Sequence, residues 1–159
     1  MSIAPIVQTV KVKADPARAF ELFTARIGQW WPHGQGIGAE PLVEVVIEPR
    51  VGGRWFERSA SGAETQWGEV LAWDPPGRLL LGWKLGTDWR YHPDLLTEVE
   101  LTFAPGAGGG ATVTLEHRNL ERFGADAAAH AARLNSGWPA RIGDYAAFAD
   151  AAAPADQPA

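Results

Sequence analysis

Cysteine is absent from the 159 residues, which excludes a disulfide framework, a thiol nucleophile, an iron–sulfur cluster and any cysteine-ligated zinc. The four histidines, His33, His92, His117 and His130, are dispersed and show no ligand spacing such as HExxH, so no metal is expected. No apolar run approaches the roughly 18 residues of a membrane-spanning helix. The stretch from Met1 to Pro16 lacks the basic start and apolar core of a signal peptide. A cytoplasmic setting without membrane insertion is the expectation. Positive charge is also scarce, with 14 Lys and Arg against 19 Asp and Glu and a net charge of −5. That balance argues against nucleic acid as a partner, because counterion release needs a basic face. Arg50-Val51-Gly52-Gly53 lacks the Walker spacing and a following helix, and reads as a hairpin with a glycine bulge. There is no Ser-His-Asp elbow, and no cofactor is expected.

Tryptophan, by contrast, is abundant: eight residues, beside six Phe and two Tyr. With 46% hydrophobic and 21% charged residues, the chain has a globular composition and enough length for a buried core. One domain is expected over residues 1–151, with a disordered tail over 152–159.

The β-branched run Ile6–Lys13 predicts a strand. Asp15 as N-cap and Pro16 at the first helical position open a helix carrying Ala19, Phe20, Leu22, Phe23 and Ile27, which Gly28 ends. Gln29-Trp30-Trp31-Pro32 follows as a second short helix or turn, then a glycine-rich loop over 33–41. Strands are expected at 42–48, 54–59, 65–73, 78–84, 95–103 and 111–118, separated by turn residues at antiparallel spacing. In 42–48, Val43, Val45 and Ile47 share a face. The last third is helical: an alanine-rich segment from Asp126 to Leu134, an interruption at Asn135-Ser136-Gly137, and a final helix from about Gly137 to Ala151 with Pro139 in its first turn. Trp138, Ile142, Tyr145 and Phe148 or Ala149 form its apolar stripe. The fold class is α+β: one curved sheet wrapped on a long C-terminal helix, with two short helices after strand 1 plugging an open end.

DPARAFELFT (15–24), IGQWWP (27–32), IEPRVGGRWFE (47–57), WGEVLAWDPPGRLLLGW (67–83), EVELTF (98–103), VTLEHRNLER (113–122) and SGWPARIGDYAAF (136–148) together resemble the SRPBCC (START/Bet v 1-like) superfamily, in its activator of Hsp90 ATPase homologue 1-like branch. The resemblance implies a helix-grip fold, a seven-stranded antiparallel sheet around the C-terminal helix with a deep apolar cavity between them. Members bind hydrophobic ligands, and some are cyclases. In the co-chaperone itself a separate N-terminal domain makes much of the chaperone contact. This length leaves no room for one, so Hsp90 is not an expected partner, while a homodimer is compatible with the family.

The expected partner is a small hydrophobic molecule, aromatic or polycyclic, in that cavity. The candidate lining is Trp30, Trp31, Trp55, Trp67, Trp83, Trp89, His117, Trp138 and Tyr145. Trp30 and Trp31 read either as cavity wall or as a packing plug, and adjacent helical residues seldom both face a pocket. The meander tryptophans Trp55, Trp67, Trp73 and Trp83 read either as wall or, more readily, as packing. His117, inward beside Val113 and Leu115, is either a core histidine or a general acid/base. Period-2 counting sets Glu69 on one face with Trp67, Leu71 and Trp73, which makes it the second acid/base candidate if that face lines the cavity. Tyr145 could offer a phenol to a ligand. Access is expected beside loops 33–41 and 86–94. The alternation of Arg54, Arg58, Arg118 and Arg122 with Glu57, Glu116 and Glu121 predicts surface ion pairs. Binding module, cyclase/aromatase- or hydrolase-like enzyme, and Hsp90-related interaction domain are the three functional readings.

Overall fold

In the computed structural model, which describes residues 2–152, the chain begins with strand β1 (Ile6–Val12). Asp15 caps the next element as its sequence position predicts: its carboxylate accepts from the Arg18 N–H at 2.8 Å and Pro16 begins helix α1 (Pro16–Thr24). Helix α2 (Ile27–Trp30) includes Gly28 rather than starting after it. The glycine lets the helix lie close on the Leu42–Ile47 strand, since a Cβ would stand 3.1 Å from the Val45 carbonyl oxygen.

Six strands follow: β2 (Leu42–Ile47), β3 (Arg54–Ser59), β4 (Glu64–Asp74), β5 (Arg78–Trp83), β6 (Thr97–Pro105) and β7 (Ala111–Arg118). All pairs are antiparallel in the order β1-β7-β6-β5-β4-β3-β2, so β1 and β2 are the edges and the two short helices bridge them. The inner face carries Trp55, Val70, Leu79, Leu81, Trp83, Val99, Leu101, Phe103, Val113 and Leu115, all buried. The outer face is a lattice of ion pairs, among them Arg54 with Glu48 and Glu64, and Arg118 with Glu98, Glu100 and Glu116.

Three local expectations fail, each for a physical reason. Strand β2 does not keep strict alternation, because its register against β3 shifts between Leu42 and Glu44. Leu42 therefore turns inward and Val43 outward, 47% exposed. Strand β4 carries two shifts, at Trp67 against β3 and at Leu71 against β5, and each extra residue resets the inside–outside count. Finally, the C-terminal helix is one element, α3 (Ala127–Ala152), running through Asn135-Ser136-Gly137 with Pro139 inside. Leu134 and Trp138 are buried on either side of the expected break, so packing outweighs the local breaker signals. Asn135 and Pro139 are exposed, which lets water satisfy the carbonyl that Pro139 cannot bond.

Apart from Ala152, which ends α3, the tail expected to be disordered lies outside the described residues. No helix among the described residues is long and apolar enough to cross a membrane.

Candidate functional site

Indole rings fill the space between the sheet and α3 at one end of the molecule. Trp31 meets Trp67 at a centroid distance of 5.0 Å, Trp67 meets Trp55 at 5.5 Å, Trp55 meets Trp83 at 5.6 Å and Trp83 meets Trp138 at 5.5 Å, mostly edge to face. A surface-open cleft of about 240 Å³ lies against this layer. Trp31, Trp83, Trp89, Leu134, Gly137 and Trp138 form its walls, with Gln35, Arg133 and Arg141 as its polar lining. Trp55 and Trp67 stand behind the wall.

His117 is behind the wall as well. It is fully buried, 5.1 Å from the Trp83 ring. The Trp138 indole N–H donates to its Nδ1 at 3.0 Å, so the ring proton is on Nε2 and donates to Thr97 Oγ1 at 2.8 Å. The Thr97 hydroxyl in turn donates to the Trp83 carbonyl at 3.2 Å. Burial, reinforced by nearby His130, pushes the His117 pKa down to about 3. Both ring nitrogens are engaged, one by Trp138 and the other by Thr97. The acid/base role expected of it has no free ring nitrogen in this arrangement.

Glu69 is on the opposite side of the sheet. The bulge at Trp67 resets the count, and Glu69 pairs in register with Gly82 and Arg54 on the outer face, its carboxylate 2.9 Å from Lys84 Nζ. An inward Glu69 is therefore not found. Tyr145 is inward but at the other end of α3, where its hydroxyl donates to the Ala19 carbonyl at 2.8 Å and burial holds its pKa well above the usual phenol value. Trp30 also belongs to that end, between Phe23 and Tyr145, with its N–H on the Phe23 carbonyl at 3.3 Å. Of the adjacent pair, only Trp31 reaches the cleft.

The two loops expected beside the way in do meet there. Gly34, Gln35, Gly36 and Ile37 from one and Asp88, Trp89 and Arg90 from the other line a second cleft of about 480 Å³, with Trp89 as the wall between the two. Trp89 is 40% exposed and adopts a left-handed backbone at φ 58°, which is unusual for so large a residue. Its ring rests on His130 at 5.1 Å.

Four residues of this site went unread in the sequence. Glu57, expected in a surface ion pair, is buried and accepts from the N–H groups of Ile37 at 2.6 Å, Gly38 at 3.2 Å and the Trp67 indole at 2.9 Å. It fastens the glycine-rich loop to the indole layer. Its inward direction follows from strand parity with Trp55, which was available in the sequence. Arg133, Gly137 and Arg141 fall at four-residue spacing on one side of α3, a stripe visible only once the helix is continuous. Among the described residues no three His, Asp or Glu side chains gather as a metal site.

The family model of activator of Hsp90 ATPase homolog 1-like proteins matches residues 13–145. Among solved structures, the chain is 37% identical to an anthrahydroquino-gamma-pyrone synthase, Txn09, over 79% of this chain and 83% of that one, with a TM-score of 0.58. It is 28% identical to the self-sacrificing resistance protein CalC from Micromonospora echinospora, over 92% of this chain and 94% of that one, with a TM-score of 0.70. The Aha1 dimer from Colwellia psychrerythraea shares the fold at 14% identity, over 93% and 97%, with a TM-score of 0.64. No curated protein matches the chain.

Proposed function

Since this chain belongs to the activator of Hsp90 ATPase homolog 1-like family, with a helix-grip fold, we propose that it binds a small planar aromatic molecule in the tryptophan-walled cleft. The observation that carries this reading is the wall itself. Trp31, Trp83, Trp89 and Trp138 converge from the residue after α2, from β5, from a loop and from α3 on one opening. Indoles offer rigid flat faces at low entropic cost, suited to stacking on a flat ligand. The Trp83 N–H is buried without an acceptor, and so is that of Trp55 behind it. A quinone or other carbonyl-bearing ring would supply one. The 37% identity to a synthase of anthrahydroquino-gamma-pyrones points the same way. A volume of about 240 Å³ is just under the ~300 Å³ at which ligand pockets usually begin. Movement of Trp89 would join this cleft to its neighbour.

Titration of intrinsic tryptophan fluorescence with a dihydroxyanthraquinone tests the reading. The expected result is saturable quenching that Gly137→Leu abolishes, because the new side chain would occupy the cleft while helix propensity improves. Quenching that is absent, or that persists unchanged in Gly137→Leu, would place the ligand elsewhere or remove it.

One observation favours a second reading, an enzyme acting on the bound aromatic: the same identity to a synthase. There the indole N–H and guanidinium donors, rather than His117 or Glu69, would stabilise charge developing on an oxygen. An aromatic recovered unchanged after long incubation counts for the binder, and a product of altered mass counts for the enzyme. Contact with Hsp90 forms no part of either reading.

A further inference from the structure

The polar groups of the cleft are unbalanced. Its lining holds two arginines and no carboxylate. Arg141 Nη1 is buried without a hydrogen-bond partner, and among the described residues the guanidinium's one ion pair is Asp144, 3.3 Å from Nε on the same helix. Arg133 donates to Nδ1 of His130 at 3.2 Å and forms no ion pair among the described residues. Trp83 adds an indole N–H that has no acceptor. A buried donor left unpaired costs about 1–3 kcal/mol, so a lining built of donors selects a ligand built of acceptors. Two guanidinium groups against Asp144 leave one positive charge uncompensated, which matches a monoanion.

The helix supplies the space for that anion. Arg133 and Arg141 are eight residues apart on α3, about 12 Å along the axis, and Gly137 lies midway between them on the same face. A Cβ added to Gly137 would meet nothing within 4 Å. The stripe is thus a notch with an arginine at each side and an indole floor. A planar carboxylate fits the fork of a guanidinium, and its single charge is the one the notch can neutralise.

Resting on the binding reading above, we propose that the ligand is a planar aromatic carboxylic acid, bound as its carboxylate between Arg133 and Arg141 with the ring system on the tryptophans. Fluorescence titrations with anthraquinone-2-carboxylate and its uncharged carboxamide test this in the full chain. Wild type is expected to bind the carboxylate about ten-fold more tightly, the equivalent of one charged hydrogen-bonded contact. Raising the ionic strength should narrow that preference. Arg141→Met and Arg133→Met should each weaken carboxylate binding and leave the carboxamide unchanged, with near-ultraviolet circular dichroism confirming that the indole layer is intact. Equal affinity for the two probes, or a preference that survives in both variants, overturns the carboxylate proposal while the cleft remains a binding site. If neither probe binds, both the cleft reading and this inference fail.

Discussion

Helix α3 passes over two ends of one core, and the ends differ less in burial than in how their polar atoms are partnered. Around its C-terminal half, Ile142, Tyr145 and Ala149 are buried, with Tyr145 against Phe23 and Trp30, and the Tyr145 hydroxyl has its acceptor on α1. A backbone bond from Lys13 to the Asp150 carboxylate, 2.8 Å, ties β1 to the same half. Where the helix borders the open cleft, Trp83 and Arg141 keep buried donors without acceptors. Leaving such groups unpaired lowers stability, and under the proposed binding function the ligand supplies the acceptor. Aromatic burial alone would class Trp30 and Trp83 together, whereas hydrogen-bond partners separate them.

The sharpest way to break the closed end is Tyr145→Ala. Removing a fully buried ring that packs on Phe23 and Trp30 is expected to cost about 4 kcal/mol in urea unfolding. Tyr145→Phe, which leaves only the Ala19 carbonyl without its donor, should cost about 1 kcal/mol. Neither variant should alter affinity for a planar aromatic if the two ends are independent. A loss of binding in Tyr145→Phe would show that they are not.

Glu57→Ala comes next, at about 3 kcal/mol, because it strips the acceptor from three N–H groups at once. Its signature is local as well as global. Amide exchange at Ile37 and Gly38 should quicken more than at β6. Uniform acceleration throughout the chain would make Glu57 a general core residue and not the fastener of the loop at the cleft.

Acid separates the wall from the rest by a smaller margin. Well above pH 6.5 His117 is neutral folded or unfolded. Below it the unfolded chain takes a proton that the folded chain refuses until about pH 3. Stability therefore falls as pH drops through that window, by about 2 kcal/mol at pH 5. His130, also held below its ordinary value by burial, acts in the same direction. Urea midpoints at pH 7 and pH 5 measure the loss, and His117→Gln should flatten it. A wild-type midpoint independent of pH would mean that His117 is hydrated and free to exchange protons, which would restore it as an acid/base candidate.

Much of this was legible in the sequence where local chemistry and periodicity agreed. Asp15-Pro16 announced α1, and alternation in β6 and β7 put His117 inward beside Val113 and Leu115. Period-2 counting broke at Trp67, since a bulge is set by how three strands fit together and has no residue signature on its own strand. That one extra residue is what moved Glu69 from a proposed cavity face to Lys84 on the outer face. The arginine notch was hidden for a different reason. Asn-Ser-Gly followed by Pro is a sound local argument for a helix break, and only the buried Leu134 and Trp138 on either side override it. Whether an inward tryptophan packs or lines depends on its neighbours across the sheet, which spacing along one strand does not encode.

The smallest expected effect on stability is at Trp89, where the comparison between the ends is most exposed to refutation. Its positive φ costs a bulky residue about 1 kcal/mol, a strain that glycine avoids. Trp89→Gly regains that amount and loses a half-exposed ring contact with His130, so the net change should stay within about 1 kcal/mol. Trp89→Ala keeps the strain without the ring and should be less stable than the glycine variant by about 1 kcal/mol. Both remove a wall of the cleft, so both should weaken binding of a planar aromatic to a similar extent. Weak binding with nearly native stability in Trp89→Gly is what a site residue predicts. A loss of several kcal/mol would instead put Trp89 with Tyr145, as a ring held for packing, and the distinction drawn between the two ends would fail at its most accessible residue.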